Sequence, residues 1–351
     1  MPIMNNEYWI ERALEREERI NKDSEKYQRE LKKQFEKAML DIEKEISIFY
    51  SKYAEDNSIS LEKAQEYLSP KERVKFKNRL DYFIELVQNN PKGRFNTEIR
   101  NLSNRVRITR YQALLTEIRA HIDMLFGYKY TGYEPRTTNL LSNIYEQSYY
   151  RSKYDIQTGL GVGRSFSSLN QRATTEAINY PWSGANYSDR IWEQKAKLVN
   201  NLRNTITQGM VQGQSIYKMT SALKERMDVG YTNAQRLVRT ESNHVLNNGT
   251  LRAYKEDGIE RYEYLAILDS RTSSICRSLD NKVFNVSEAK TGVNLPSMHV
   301  NCRSTTAAYF EDDDRANYER LAKDPQGKYY KVPANINYNE WYNKYVNKSA
   351  S

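Results

Sequence analysis

The chain has 351 residues, of which 28% are charged, and 54 basic against 45 acidic side chains leave a net charge of +9. That length suffices for two domains and a buried core, while no apolar run approaches the roughly 20 residues that span a bilayer. Only two cysteines are present, which excludes a disulfide-built scaffold, and the N-terminus MPIMNNEYWIERALEREER lacks the basic start and apolar core of a signal peptide.

Residues 7–53 are predicted to form one long charged helix. Phe35, Met39, Ile42, Ile46, Phe49 and Tyr53 follow the 4-3-4-3-4 spacing of a coiled-coil seam, and Tyr27 and Leu31 prolong it upstream. Such a stripe packs either on the chain's own next helix or on a partner. After a break at Asp56-Asn57-Ser58, a short helix is expected from Ser60. Another opens at Ser69-Pro70-Lys71-Glu72, with serine as cap, proline in the first turn and glutamate reaching back. A further helix is expected over 97–126. It carries Arg100, Arg105, Arg107, Arg110 and Tyr111. Arginine neutralises phosphates and tyrosine stacks on bases, so this stretch is a candidate DNA contact as well as an ordinary solvated face. Residues 1–130 therefore read as a charged, coiled-coil-like helical scaffold.

Residues 131–187 read as a connector. It holds a turn-rich entry, a helix over 137–156 and a flexible loop at Gly159, Gly161 and Gly163 whose spacing fits no phosphate-cradling motif. In the segment 188–310 a helix is predicted over 188–207. Ser215 caps the next, and Thr232-Asn233-Ala234-Gln235 reads as a capping box opening a third that Gly258 stops. Residues 261–268 alternate as a strand, and 282–284 suit a second. The final segment, 311–351, turns acidic and then tyrosine-rich, as a docking or partly disordered tail would. The expected fold is mostly α, with elongated N-terminal helices and a small α+β C-terminal module.

The densest chemistry lies between 265 and 304. Both cysteines, Cys276 and Cys302, and one of three histidines, His299, fall in this window. Zinc takes thiolate and imidazole ligands in a tetrahedron; these residues supply three, and Asp269 or a water can supply the fourth. Two reduced thiols packed as small apolar groups, or a disulfide formed late, are the alternatives. Upstream, Arg236, Thr240, Asn243 and Asn247 share one helical face, with Arg239, Glu241 and His244 beside it. Such a face can lock the cysteine–histidine loops by hydrogen bonds, or form an active-site wall.

The run Asp269-Ser-Arg271-Thr272, Cys276, Leu279-Asp280, Pro296 and His299-x-Asn301-Cys302-Arg303 resembles the phage Mu F-like family of minor head (head morphogenesis) proteins. The resemblance extends upstream through Gln208-Gly209, Gly213-Gln-Ser215 and Arg236-Leu-Val-Arg239-Thr240-Glu241, covering residues 191–308. The family pattern has a cysteine at Ser273 and a glycine at Asn281. The likeness implies a minor capsid protein of a tailed phage, in few copies inside the head and made in the host cytoplasm. It would associate with portal and scaffold or capsid proteins, and the likeness extends to contact with packaged DNA and ejection with it. The competing expectation is a genome-delivered enzyme or toxin-like effector that uses the Arg239-Thr240-Glu241 helix and the Cys–His cluster, with zinc as a possible cofactor.

Overall fold

A computed structural model describes residues 4–56, 58, 60–61, 110–163, 168–311, 319–323, 329–333, 336 and 338–346. The helix expected from Ser69 and the arginines Arg100, Arg105 and Arg107 lie outside the described residues, as do the side chains of Arg110 and Tyr111.

Six helices precede the first strand among the described residues: α1 (Asn6–Asp56), α2 (Arg110–Gly127), α3 (Tyr133–Leu160), α4 (Gln171–Ile178), α5 (Tyr187–Val211) and α6 (Ile216–Asp257). Then come β1 (Arg261–Leu265), the short α7 (Ser274–Leu279), β2 (Val283–Asn285) and β3 (Thr305–Ala308). The chain condenses into two compact units, one of residues 1–30, 136–190 and 234–351, the other of 31–135 and 191–233. These limits differ from the four segments read from composition, because the divisions fall inside continuous helices, where composition does not change.

In the second unit the α1 stripe is covered by the chain itself. Phe35, Met39, Ile42, Ile46 and Phe49 are buried, and the Phe35 ring meets Phe126 and Tyr231 edge-on. Gly230 admits this approach: a Cβ there would sit 3.2 Å from a Leu198 methyl and 3.3 Å from the Phe35 ring. Thr232, expected to cap a new helix, lies within α6 instead. Its hydroxyl donates to the Asp228 carbonyl at 2.9 Å, a bond that lets a threonine sit inside a helix without ending it. Gly258, at φ +70°, follows the end of α6, the left-handed stop that glycine takes without steric cost.

The first unit is built on a three-stranded antiparallel sheet in the order β2-β1-β3. Tyr262 pairs with Phe284 on one side and Ala308 on the other, and Tyr264 pairs with Thr306. Its core joins distant segments: Trp9, Ile10, Ala13 and Leu14 of α1 pack with Tyr149 and Ile156 of α3, Leu251 and Tyr254 of α6, and Tyr262, Leu265, Ala307 and Ala308 of the sheet. Rings of this size dominate a core's apolar burial. Asn6 clamps the far end, donating to the Phe310 carbonyl at 2.8 Å and accepting from its N–H at 3.2 Å. Gly159, expected in a flexible loop, lies in the last turn of α3 under Trp9, whose ring leaves no room for a Cβ.

The described residues of the tail, expected as a docking or partly disordered segment, are folded. Strands β4 (Glu319–Lys323) and β5 (Tyr329–Pro333) form an antiparallel pair, followed by α8 (Tyr338–Trp341). Trp341 is buried with Leu268, Ala322, Val332 and Ile336, and its indole N–H donates to the Tyr330 hydroxyl at 2.7 Å. Tyrosines that suggested a wet contact surface thus include one serving a small core of their own. Among the described residues no helix is long and apolar enough to cross a membrane.

Candidate functional site: a sulfur–imidazole cluster

Two loops of the first unit converge on the cluster. The first leaves β1 and turns at Asp269, whose carboxylate accepts from the Arg271 N–H at 2.9 Å and the Thr272 hydroxyl at 3.1 Å. Ser273 then caps α7 by accepting from the Cys276 N–H at 3.2 Å, the side-chain bond that satisfies a free donor in a helix's first turn. This fixes Cys276 one turn in, facing the sheet. After α7, Asp280 accepts from the Ala266 N–H at 2.8 Å. Asn281 follows with φ +63°, which explains why the related pattern carries glycine there: asparagine is among the few other residues that enter this region readily.

The second loop, 295–304, is held by α6. The Ser297 hydroxyl donates to Asn243 Oδ1 at 2.5 Å. The Asn243 and Asn247 amides both donate to the Ser304 carbonyl, at 2.9 and 3.2 Å. Thr240 accepts from the Asn301 N–H at 3.0 Å while its own hydroxyl bonds the Arg236 carbonyl at 2.8 Å. These buried bonds fix a loop with little regular structure, and they satisfy polar groups that burial withdraws from water.

The loops bring Cys276, His299 and Cys302 together, with their donor atoms all within 4.8 Å of one another. The two Sγ atoms are 3.8 Å apart, and both thiols are free and buried. His299 Nε2 lies 3.2 Å from Cys276 Sγ and 2.8 Å from Ser273 Oγ. Its Nδ1 lies 2.9 Å from the Val300 carbonyl. A carbonyl only accepts, so Nδ1 carries the proton of that bond, and Nε2 is the atom turned to the sulfurs. The Tyr264 hydroxyl donates to Cys276 Sγ at 3.3 Å. The hydrogen bond from Cys302 lowers the Cys276 thiol, and against the opposing effect of burial the hydroxyls of Ser273, Ser304 and Tyr264 lower it further. The same bond, with burial, pushes Cys302 well above the ordinary thiol range. The two shifts belong to the sulfur pair as a unit.

These donors fit a soft divalent ion. A tetrahedron with zinc–sulfur bonds near 2.3 Å has a sulfur–sulfur edge of about 3.8 Å, the separation found. Asp269 stands apart from this set: both oxygens are taken by Arg303, at 2.5 and 2.8 Å. Burial pushes its carboxyl up, but the Arg303 guanidinium and the Arg271 and Thr272 donors outweigh it, leaving the carboxyl below its usual range.

The polar helix face divides. Thr240, Asn243 and Asn247 meet the cluster's second loop, whereas Arg236 and Arg239 are exposed. Glu241 and His244 meet Trp182, which sequence reasoning missed. The Trp182 indole donates to Glu241 Oε2 at 3.0 Å and stacks on His244 with centroids 4.6 Å apart. Burial pushes His244 down to about 3 and raises Glu241. Nothing in the local sequence of Trp182 marks this role, since its partners lie some 60 residues on. Arg303 and Ser297 were visible only as neighbours of the cysteine motif.

Residues 200–307 match the family model described as Phage Mu protein F like protein. Minor head protein GP7 of Bacillus phage SPP1 is 26% identical over 215 residues, which cover 58% of this chain and 69% of that protein. The protein named NAD(+)--arginine ADP-ribosyltransferase EFV, from Enterococcus faecalis (strain ATCC 700802 / V583), is 28% identical over 220 residues. That alignment covers 59% of this chain and 44% of the relative, so the chain spans less than half of its length. No solved structure gives a significant match.

Proposed function

We propose that this chain, a member of the phage Mu F-like family of minor head proteins, is an internal head component present in few copies, docking on the portal and on scaffold or capsid proteins during assembly. The observation that carries this reading is the pinning of the 295–304 loop inside the family-matched segment. Cys302 and His299 hold it from one side, and Asn243 and Asn247 hold it from α6. A site closed in this way fixes shape. The cluster serves as a clasp for an assembly module, whose partners see a rigid surface. Proximity to packaged DNA and passage into the host with it are further parts of the proposal, supported by the net charge of +9 and the arginine run from Arg100 to Arg110.

The test is co-purification of the full chain with the portal protein and with scaffold, each expressed alongside it. Retention on portal rings supports the reading, and failure to bind either partner contradicts it.

The name of the second relative keeps an enzymatic reading in play. The Arg239-Thr240-Glu241 string argues against placing that activity on α6: Arg239 faces solvent, Thr240 holds the Asn301 backbone, and Glu241 accepts from Trp182. Incubating the chain with NAD(+) and an arginine-bearing acceptor separates the readings, and no transfer is expected.

A further inference from the structure

We propose that the cluster is a zinc site in which Cys276, His299 and Cys302 bind the ion and the Ser273 hydroxyl stands at the fourth corner. The inference rests on the reading of the cluster as a structural clasp and names what closes it.

Three independent features of the geometry point the same way. The sulfur pair is already at the edge length of a zinc tetrahedron, 3.8 Å. A disulfide requires about 2.05 Å; two packed thiols also meet near 3.8 Å, and the imidazole turned onto the same sulfurs is what favours an ion over simple packing. The His299 ring is oriented by a bond from Nδ1 to the Val300 carbonyl, which leaves Nε2 to ligate; this is how ligating histidines are usually held in place by a second partner. The Tyr264 hydroxyl on Cys276 Sγ supplies a comparable outer contact for a sulfur.

Ser273 occupies the fourth corner by position and by contact. It precedes Cys276 by three residues, the short ligand spacing of a zinc knuckle, and its Oγ is 2.8 Å from His299 Nε2. The carboxylate that would otherwise compete, Asp269, is neutralised by Arg303. Two thiolates then balance the dication, and no uncompensated charge is buried. Two soft sulfurs and an imidazole select zinc over magnesium or calcium. A neutral hydroxyl is a poor zinc ligand, so the corner at Ser273 is the weak one. The ion is therefore held by three strong bonds and exchanges more readily than in a four-ligand knuckle.

The experiment uses the full chain, reduced and freed of metal, titrated with zinc against a chromophoric chelator and with cobalt(II) as a spectroscopic substitute. The expected result is one ion per chain and a tetrahedral cobalt spectrum with thiolate charge-transfer bands. Ser273→Cys replaces the weak fourth ligand with a thiolate and keeps the other three. It gives up the oxygen cap on the Cys276 N–H, so its fold is checked by circular dichroism. It should tighten zinc binding by about tenfold or more, the scale typical of changes around metal ligands, and intensify the thiolate bands. A wild-type chain that takes up no stoichiometric zinc overturns the proposal, and so does a Ser273→Cys chain with unchanged affinity and spectrum. Either result leaves the clasp reading to be judged separately, by whether loss of Cys302 lowers the melting temperature of the metal-free protein.

Discussion

Arg303 places both terminal guanidinium nitrogens on the Asp269 carboxylate, at 2.5 and 2.8 Å, tying the residue after the second cysteine to the turn before the first. Such a bidentate pair fixes orientation as well as distance. It joins the same two loops as the sulfurs and imidazole, so the clasp has an ionic half and a sulfur half. Asp269→Asn leaves the guanidinium without its counter-charge. With the Arg303 side chain still 26% exposed, water shares the loss, and a destabilisation of about 2 kcal/mol is expected rather than the full cost of a buried pair. Denaturant unfolding of Asp269→Asn, of Arg303→Lys and of the double variant measures it. Additive effects would show that the pair does not couple the loops.

Asn247 tests the lock from α6. Its amide bonds the Ser304 carbonyl and the Asn243 carbonyl. Asn247→Ala removes both bonds, but the Ser304 carbonyl keeps its bond from Asn243 and the Asn243 carbonyl lies within α6, so the expected loss is about 1 kcal/mol. Asn247→Asp should be worse, because it sets a carboxylate where two carbonyls need a donor. If alanine proves the more damaging of the two, hydrogen bonding is not what Asn247 contributes.

His244 sets an acid limit on stability. A histidine in the unfolded chain takes up its proton near 6.5, whereas the folded ring resists until about 3. The stability gained from keeping it neutral is complete above about pH 6.5. It falls by up to about 1.4 kcal/mol per unit as pH drops towards 3. Glu241, raised by burial, works in the other direction, since acid relieves the cost of its buried charge. His244→Phe keeps a ring against Trp182 and removes the proton, so its stability should fall less steeply than wild type between about pH 6 and 4. Parallel curves would contradict the assignment.

Gly159 sits where a Cβ would come within 2.4 Å of the Trp9 ring. Gly159→Ala should therefore cost about 1–3 kcal/mol through overpacking, although alanine is the better helix former. A stabilised variant, read by thermal melting, would mean that the first turns of α1 do not seat on α3 as described.

Local signals were legible in sequence. The Gly258 stop, the Ser215 cap and the first two strands all depend on residues a few positions apart. The cysteine–histidine window was legible for the same reason, since its members lie within 27 residues. The pairing of Asn6 with Phe310 was not, because a polar residue at a helix start says nothing about a partner 304 positions away. Thr232 misled because a threonine followed by glutamine is as compatible with a helix interior as with its start when the hydroxyl can bond back one turn. The short third strand, Thr305–Ala308, carries no alternation, since both its faces are buried. The pairing of Asp269, a candidate ligand in sequence, with Arg303 was not legible, because Arg303 was read only as part of a motif.

The central claim is that the two loops are clasped so that the module can enter a head. Phage heads assembled with a Cys302→Ala chain in place of wild type, purified and analysed by quantitative mass spectrometry, test it most directly. The account predicts that the variant chain is made but depleted several-fold from finished heads. Wild-type amounts of Cys302→Ala in those heads would contradict it.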